Sequence, residues 1–236
     1  TITGATLGSS TATTQSQGDN STKVATTAYI DRVAGTLGAI TNRNRIINGA
    51  MKIWQRSTSA AMTTSASYVA VDRWGVDQAT SAAATLSQST SVPTAIAQYS
   101  AKVQRNSSST GTSNIVIAQA FETVNSYDLA GQSVTLSFYA KAGANFSASS
   151  NTLNFNVFWG QGTDQSLASM RSNGWTNITD SSSSVTLTTT WTRYTFTASC
   201  PAGTTQVGLQ FYFSPSGTAG ADGEHGRGGR CRCAAR

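Results

Sequence analysis

The chain has 236 residues, of which 38% are hydrophobic and only 11% are charged. The apolar share suffices for the core of one large domain, and the charged share is less than half of the roughly 25% that soluble domains usually carry. The formal net charge is +6, but outside the C-terminal tail the Lys and Arg residues are scattered singly. Because a nucleic-acid-binding face needs a basic stripe, this distribution argues against nucleic acid as a partner.

The N-terminal stretch, residues 1–20, is rich in Ser, Thr, Gly and Gln and has almost no apolar side chains. Alone it cannot bury a core, so it is expected to be extended or disordered. The sequence starts at Thr1 without Met and lacks the basic and apolar regions of a signal peptide. We therefore expect a fragment or processed product of a protein that stays in its cell or leaves by lysis inside a particle. No apolar run approaches the roughly 18 residues of a membrane span, so no membrane insertion is predicted.

A short helix is predicted over residues 23–33, with its N-cap among residues 19–21. Its apolar residues form one narrow stripe at helical spacing. So short a helix needs a partner, either the following domain or copies of itself. The candidates for an oligomer contact are Tyr29, Ile30, Val33 and Leu37.

From Asn42 onward the sequence is typical of β-strands separated by Ser/Thr/Gly/Asn loops. Alternation of apolar and polar residues is clearest in residues 133–140, 151–159, 192–198 and 206–213. The side chains that it directs toward a core are Val134, Leu136, Phe138, Leu153, Phe155, Val157, Trp159, Tyr194, Phe196, Val207, Leu209, Phe211 and Phe213.

These runs predict an all-β fold, an antiparallel two-sheet sandwich of jelly-roll-like form. The predicted organisation is an N-terminal attachment or oligomerisation segment at 1–41, the sandwich at 42–222 and an irregular Arg/Gly/Cys tail at 223–236. The tail is assigned as irregular because it lacks strand periodicity.

The chain has few of the histidine, cysteine and carboxyl side chains on which catalysis usually depends. The only histidine, His225, lies in the tail, so neither a Ser-His-Asp nor a Cys-His arrangement has a credible base. The three cysteines form no disulfide framework and lack the further ligands of a zinc site. Glycoside hydrolysis needs two facing carboxyls; here only Glu122 with one Asp would serve, and Glu122 is expected to pair with Lys141 or Arg105 instead. The chain is predicted not to be an enzyme.

No cofactor is predicted. Asp72 or Asp77 is a candidate ligand of a structural calcium, although oxygen ligands at calcium spacing are not evident. The alternative for Asp72 is a local ion pair within Asp72-Arg73-Trp74 that fixes a corner of the chain.

Binding is easier to support than catalysis. Strand alternation turns some aromatic and polar side chains away from the core, and another aromatic lies in a Gly/Asn loop; exposed rings of this kind offer an apolar face to a sugar, while amides bond its hydroxyls. The candidates for carbohydrate contact are Tyr139, Phe158, Trp175, Tyr212, Gln210 and Arg193. Alternatively, the aromatics cover a second sheet, a neighbouring subunit or the N-terminal segment.

Two motifs are similar to those of bacteriophage tail proteins. Residues 18–31, GDNSTKVATTAYID, resemble a segment found near the attachment or collar part of trimeric tail fibres. Residues 42–56, NRNRIINGAMKIWQR, followed by Tyr68 and VDRW at 71–74, resemble the opening of phage tail modules with a carbohydrate-binding-like β-sandwich. The runs at 127–141 and 191–194 are similar to the central strands of those modules.

This resemblance implies a virion structural protein, a tail-fibre or tail-appendage subunit that is made in the host cytoplasm and carried on the virion tail. It further implies a homotrimer, contacts with other tail proteins and attachment to host-surface polysaccharide through the sandwich. Two alternatives stay open: an architectural connector or decoration protein without glycan binding, and, ranked last, a polysaccharide depolymerase.

The chain departs from that family at its C-terminus. Relatives continue after the Gly-x-Ala-Asp turn with a closing strand, whereas here Gly220-Ala221-Asp222 leads into the tail. This departure indicates a frameshift or an altered C-terminus and predicts an unpaired sheet edge, which a neighbouring subunit of a fibre would cover.

Overall fold

The computed structural model describes residues 13–14, 16, 26–30, 44–78, 81–93, 97–107, 109–144, 146–216, 224–228 and 232–235. The chain divides into two units, Thr1–Arg43 and Asn44–Arg236. None of the helices in these described ranges is long and apolar enough to cross a membrane.

In the first unit, residues 27–30 are helical. The N–H groups of Tyr29 and Ile30 donate to the carbonyl oxygen of Thr26 at 3.1 and 3.0 Å. Ile30, the one stripe residue among the described residues, is 54% exposed. The predicted cap and the other two stripe residues, Val33 and Leu37, lie outside the described residues.

The second unit is built almost entirely of strands. A five-residue helix, Leu167–Arg171, and three 3-10 turns, Thr123–Asn125, Tyr127–Leu129 and Ser149–Asn151, interrupt them. The strands are β1 Ser59–Ala61, β2 Gly75–Gln78, β3 Ala84–Ser89, β4 Ser100–Arg105, β5 Ile115–Ala120, β6 Ser133–Ala140, β7 Thr152–Gly160, β8 Thr179–Thr186, β9 Thr192–Ser199, β10 Gln206–Phe213, β11 Glu224–Gly228 and β12 Arg232–Ala235.

All strand pairs are antiparallel, and they form a five-stranded sheet in the order β2-β5-β10-β7-β8. The opposite layer holds a four-stranded sheet, β1-β3-β4-β11, and a three-stranded sheet, β12-β6-β9. The core lies between these layers: the Phe138 ring packs edge-on against Phe155 and Phe211, with centroids 5.2 and 4.8 Å apart. The predicted sandwich is confirmed, and the apolar sets that alternation directs inward on β6, β7 and β10 are buried.

The segment before β1 is fastened to the sandwich by two amide side chains. Gln119 is fully buried and binds both the N–H and the carbonyl of Ile47, at 2.9 and 2.8 Å, and the carbonyl of Arg73 at 3.1 Å. Asn48, at φ 50°, donates to the carbonyls of Ile53 and Asp72. The asparagine of the Asn-Gly pair therefore connects, through its side chain, the chain segment at Ile53 with the segment at Asp72.

The tail differs from the irregular segment that the sequence predicts. Its residues 224–228 pair with β4 and its residues 232–235 pair with β6, both antiparallel. Strand pairing uses main-chain N–H and C=O groups, so an edge accepts a partner that has no apolar alternation. Periodicity in the tail therefore could not report this pairing.

Candidate functional site

The outer face of the five-stranded sheet, which is turned away from the core, carries a connected set of polar side chains. Pairing sets these residues in rows across the strands. One row runs from Asp77 through Val116, Tyr212 and Asn154 to Ser184. The next row contains Gly75, Ala118, Gln210, Asn156 and Ser182.

A covering loop, residues 161–178, lies on part of this face and includes the helix Leu167–Arg171. Its buried side chains, Leu167, Met170 and Trp175, pack with Phe158 and the alanines of β5 in a small apolar cluster separate from the main core. The indole N–H of Trp175 donates to the carbonyl of Ser166 at 2.9 Å, which fastens the loop to itself.

Three glycines on three strands form the floor beneath the covering loop. A Cβ atom on Gly75 would lie 2.0 Å from Leu167 Cδ2, one on Gly208 would lie 2.1 Å from Met170 Sδ, and one on Gly160 would lie 2.8 Å from the Trp175 ring. These separations are shorter than any van der Waals contact. Glycine at these positions therefore allows the close approach of loop and sheet, because a larger residue would force the loop side chains to shift.

A chain of polar contacts crosses the face beside the covering loop. Arg171 Nε donates to both carboxylate oxygens of Asp77 at 3.2 and 3.1 Å, and its Nη1 donates to Gln210 Oε1. Gln210 Nε2 donates to Asn156 Oδ1 at 2.9 Å, and Asn156 Nδ2 donates to Asp180 at 2.6 Å. Each partner fixes which end of the next amide is donor and which is acceptor, so the chain is pre-oriented across four strands.

The part of the face beyond the covering loop stays accessible. Tyr212, Asn154 and Asn156 are half-buried, and Ser182 and Ser184 are exposed. One aromatic ring thus stands among amides and hydroxyls on a rigid sheet. This combination can hold a polyhydroxylated ligand, because the ring contacts C–H groups and the polar side chains exchange hydrogen bonds with hydroxyls.

The structure brings together four of the predicted contact residues on this face, Tyr212, Gln210, Phe158 and Trp175, but only Tyr212 is open to a ligand. Trp175 and Phe158 are 3% and 6% exposed, so the expectation that they are surface rings is wrong. Trp175 belongs to the covering loop and packs with Phe158 in its apolar cluster. This partner is none of the three alternatives that the sequence left open, a second sheet, a neighbouring subunit or the N-terminal segment. Gln210 is 7% exposed and acts through the polar chain.

Tyr139 and Arg193 lie elsewhere, on the outer side of the opposite layer. They are direct cross-strand partners on β6 and β9. Arg193 is exposed and donates to Ser137 Oγ at 3.2 Å, and Tyr139 is half-buried. The six predicted residues therefore do not form a single site.

Sequence reasoning missed Arg171, Asn156, Asp77 and Asp180 as members of the outer-face network. The polar alternation of Asn154 and Asn156 on β7 was a usable signal for the two asparagines. Nothing in the sequence indicates that Arg171 reaches across to Asp77, since that contact depends on how the covering loop docks.

A second concave region, the end cleft, opens at the other side of the covering loop and has a volume of about 160 Å³. Its polar lining comes from Tyr68, Arg73, Glu122, Asp164, Gln165, Ser166 and Gln206. Arg73 Nη2 donates to Glu122, and Asp164 Oδ1 accepts from the Thr123 N–H at 2.7 Å. The structure thus brings Glu122 and one aspartate to the same cleft.

The expected partners of Glu122 are corrected by this geometry. Arg105 is buried and donates to the Gly111 carbonyl at 2.9 Å, and Lys141 lies over the Trp191 ring at 5.8 Å. Burial acts to raise the pKa of Glu122, but its backbone hydrogen bond and the hydrogen bonds from Arg73 and Asn125 outweigh burial, so the pKa is lowered. The carboxyl is therefore ionised at neutral pH.

The carboxylates named for calcium are also engaged. Asp72 accepts the Gln55 N–H at 2.6 Å and lies 3.8 Å from Arg56, and Asp77 holds Arg171. The corner ion pair predicted within 72–74 forms instead between Asp72 and Arg56. In the described parts of the chain, no group of three His, Cys, Asp or Glu residues could hold a metal ion. A structural calcium stays a prediction.

No protein-family profile matches the chain, and no curated protein matches it. Solved structures do show likeness. The enzymatically active domain of tailspike protein 4 of bacteriophage CBA120 has a TM-score of 0.49 and 14% identity, covering 82% of this chain and 22% of the other, so this chain spans about a fifth of that structure. A CBM4 module has a TM-score of 0.42 and 17% sequence identity, and the match covers 81% of this chain and 99% of the module. The module TmCBM61, solved with beta-1,4-galactotriose, has a TM-score of 0.42 and 10% sequence identity, and the match covers 82% of this chain and 99% of the module.

Proposed function

We propose that the sandwich binds polysaccharide through the open part of the outer face, around Tyr212, and that the chain is a subunit of a phage tail fibre or tail appendage. The observation that carries the binding proposal is the pre-oriented chain of amides and carboxylates beside that ring. Fixed hydrogen-bonding groups lose little conformational entropy when a ligand arrives, so they favour binding of hydroxyl groups. The virion role is supported by the tail-protein resemblance of residues 18–31 and 42–74.

The end cleft, which contains Glu122, lacks the protonated acid that glycoside hydrolysis needs. A glycosidase needs one carboxylic acid that is still protonated when it meets the substrate, with a second carboxylate opposite. Glu122 has a lowered pKa and is paired with Arg73. We therefore infer a non-catalytic module, and incubation with host capsule followed by a reducing-end assay should show no release of sugar ends.

The test of binding is a glycan array of bacterial surface polysaccharides probed with the whole chain and two matched variants. Tyr212→Ala removes the ring from the outer face, and Tyr139→Ala removes a half-buried tyrosine from the opposite layer. We expect Tyr212→Ala to weaken binding about tenfold, which corresponds to roughly 1.4 kcal/mol, and Tyr139→Ala to leave it unchanged. No signal above background with the intact chain, or the reverse order of the two variants, would contradict the proposal.

An architectural connector is the second candidate, and exposed apolar side chains favour it. Ile53, Val124 and Tyr127 are 47%, 70% and 58% exposed. A structure of the assembled particle separates the candidates, because a connector buries these side chains against other subunits whereas a receptor-binding module leaves the outer face open to solvent.

A further inference from the structure

We propose that the end cleft is a second carbohydrate site, which takes a single neutral sugar residue at Tyr68 and Arg73. The proposal adds a site to the outer face and takes only the class of ligand from the function proposed above. The two places are separate on the sheet: Gln206, in the cleft, and Tyr212, on the open face, are six residues apart on β10, about 20 Å at the usual rise of a strand. The covering loop lies between them.

The size of the end cleft matches one sugar ring. Its volume of about 160 Å³ holds on the order of ten water molecules, which is close to the number of non-hydrogen atoms in one hexose. An extended oligosaccharide or a drug-sized ligand needs more room, since such pockets measure roughly 300–1,000 Å³. The cleft therefore fits one residue of a glycan rather than several.

The side chains of the cleft have hydrogen-bonding capacity to spare. Arg73 binds Glu122 through Nη2, and its side chain is 41% exposed, so the guanidinium presents donors at the surface of the cleft. Tyr68 is 37% exposed, and its hydroxyl makes no hydrogen bond to the described residues. Burial raises the pKa of Tyr68, with Arg73 acting in the opposite sense, so the hydroxyl stays protonated and can donate. Donors and carboxylate acceptors side by side match sugar hydroxyls, which both donate and accept.

The charges around the cleft select against an acidic ligand. Arg73 is paired with Glu122, and Arg56, whose guanidinium lies 5.8 Å from the centre of the Tyr68 ring, is paired with Asp72. Asp164 is a further negative charge, so a uronic or sialic acid would gain no net attraction in the cleft. A neutral sugar has no such conflict.

The backbone conformation of two residues also indicates a site at the end cleft. Arg73 and Asp164 both adopt left-handed conformations, with φ of 69° and 45°. This region costs energy for residues other than glycine, and such strain is concentrated at binding and catalytic sites. Both residues with this left-handed backbone carry charged side chains that line the end cleft.

The experiment is saturation-transfer difference NMR on the whole chain with five neutral monosaccharides: glucose, galactose, mannose, N-acetylglucosamine and N-acetylgalactosamine. We expect at least one of them to give a signal that falls by more than half in Tyr68→Ala and in Arg73→Gln, and that survives in Tyr212→Ala. Circular dichroism shows whether each variant is folded, and Tyr68→Phe, which keeps the ring, should retain most of the signal.

The outcomes separate this proposal from the function proposed above. A signal lost only in Tyr212→Ala overturns the end cleft and leaves the outer face intact. A signal lost only in the two cleft variants, together with an array response that ignores Tyr212, overturns the outer face and supports the cleft. No signal from any of the five sugars, or a signal only from glucuronic or N-acetylneuraminic acid added as a further arm, overturns a neutral-sugar site in the cleft.

Discussion

Gln119 shows how much one buried polar side chain contributes to the sandwich. It lies on the central part of β5, where a strand of a buried layer would be expected to carry an apolar residue, and instead satisfies three main-chain groups of residues 47 and 73. Main-chain groups that are buried without partners cost free energy comparable to a lost hydrogen bond. The residue therefore ties the segment before β1 to the sheet.

Replacing Gln119 with Leu should destabilise the protein strongly, although the side chain becomes more hydrophobic. The change leaves the Ile47 N–H and two carbonyls unpaired, and each such group costs roughly 1–3 kcal/mol. We expect a loss of about 3 kcal/mol or more, and a melting temperature lower by roughly 6–12 °C. The matched control is Gln132→Leu, because Gln132 is exposed; equal melting temperatures for the two variants in calorimetry would refute the role of Gln119.

At the scale of elements, the covering loop and its glycine floor decide which half of the outer face is accessible. The loop buries Met170 completely and places it against Gly208. Methionine is flexible, but a fully buried side chain has little room to withdraw. The packing of the loop on the sheet therefore depends on the Met170 side chain and on the absence of a Cβ atom at Gly208.

Gly208→Ala should loosen the covering loop by roughly 1–3 kcal/mol, because the new methyl group overlaps Met170 Sδ. Met170→Ala alone should cost about 2–5 kcal/mol through the cavity that it leaves. In the double variant the alanine at 208 gains the space that Met170 vacates. We expect the double variant to be more stable than the sum of the single changes by at least about 1 kcal/mol, measured by urea denaturation; strict additivity would show that the two sites do not touch.

Sequence patterns predicted the elements of the sandwich better than the site. Alternation on β6, β7 and β10 reports which side chains face the core, because a strand of period two has only two faces. It does not report what covers the other face, so it predicts an exposed Phe158, and the Gly/Asn loop around Trp175 does not report that this loop docks on the sheet. Gly75, Gly160 and Gly208 carry no signal by themselves, since their role appears only when three strands that are distant in sequence come together in one sheet. The end cleft was missed for the same reason.

At the scale of the whole molecule, the proposed fibre role requires the chain to associate. The first unit carries the predicted apolar stripe, of which Ile30 is exposed, and closed homo-oligomers bury such surfaces between identical subunits. We propose that the predicted trimer forms through this stripe.

Ile30→Asp in the full chain should shift the protein from trimer to monomer, because it places a charge in the apolar contact. Ala28→Asp is the control, since Ala28 is exposed in the same helical turn and lies nearly opposite Ile30 around the helix axis. Sedimentation velocity measures both. A wild-type monomer, or an unchanged trimer in the Ile30 variant, would contradict the proposed contact.

The glycine floor also has a kinetic consequence. Its three members come from β2, β7 and β10, and β10 is the last of these strands in the chain, so the surface that receives the covering loop is complete only after β10 has paired with β7 and β5. Pairing between strands far apart in sequence is slow, because loop closure costs entropy before any contact forms. We therefore expect residues 161–178 to leave the ribosome before their docking surface exists. We therefore expect Trp175 and Met170 to become buried late, which leaves this loop accessible to chaperones and proteases in the unfinished protein.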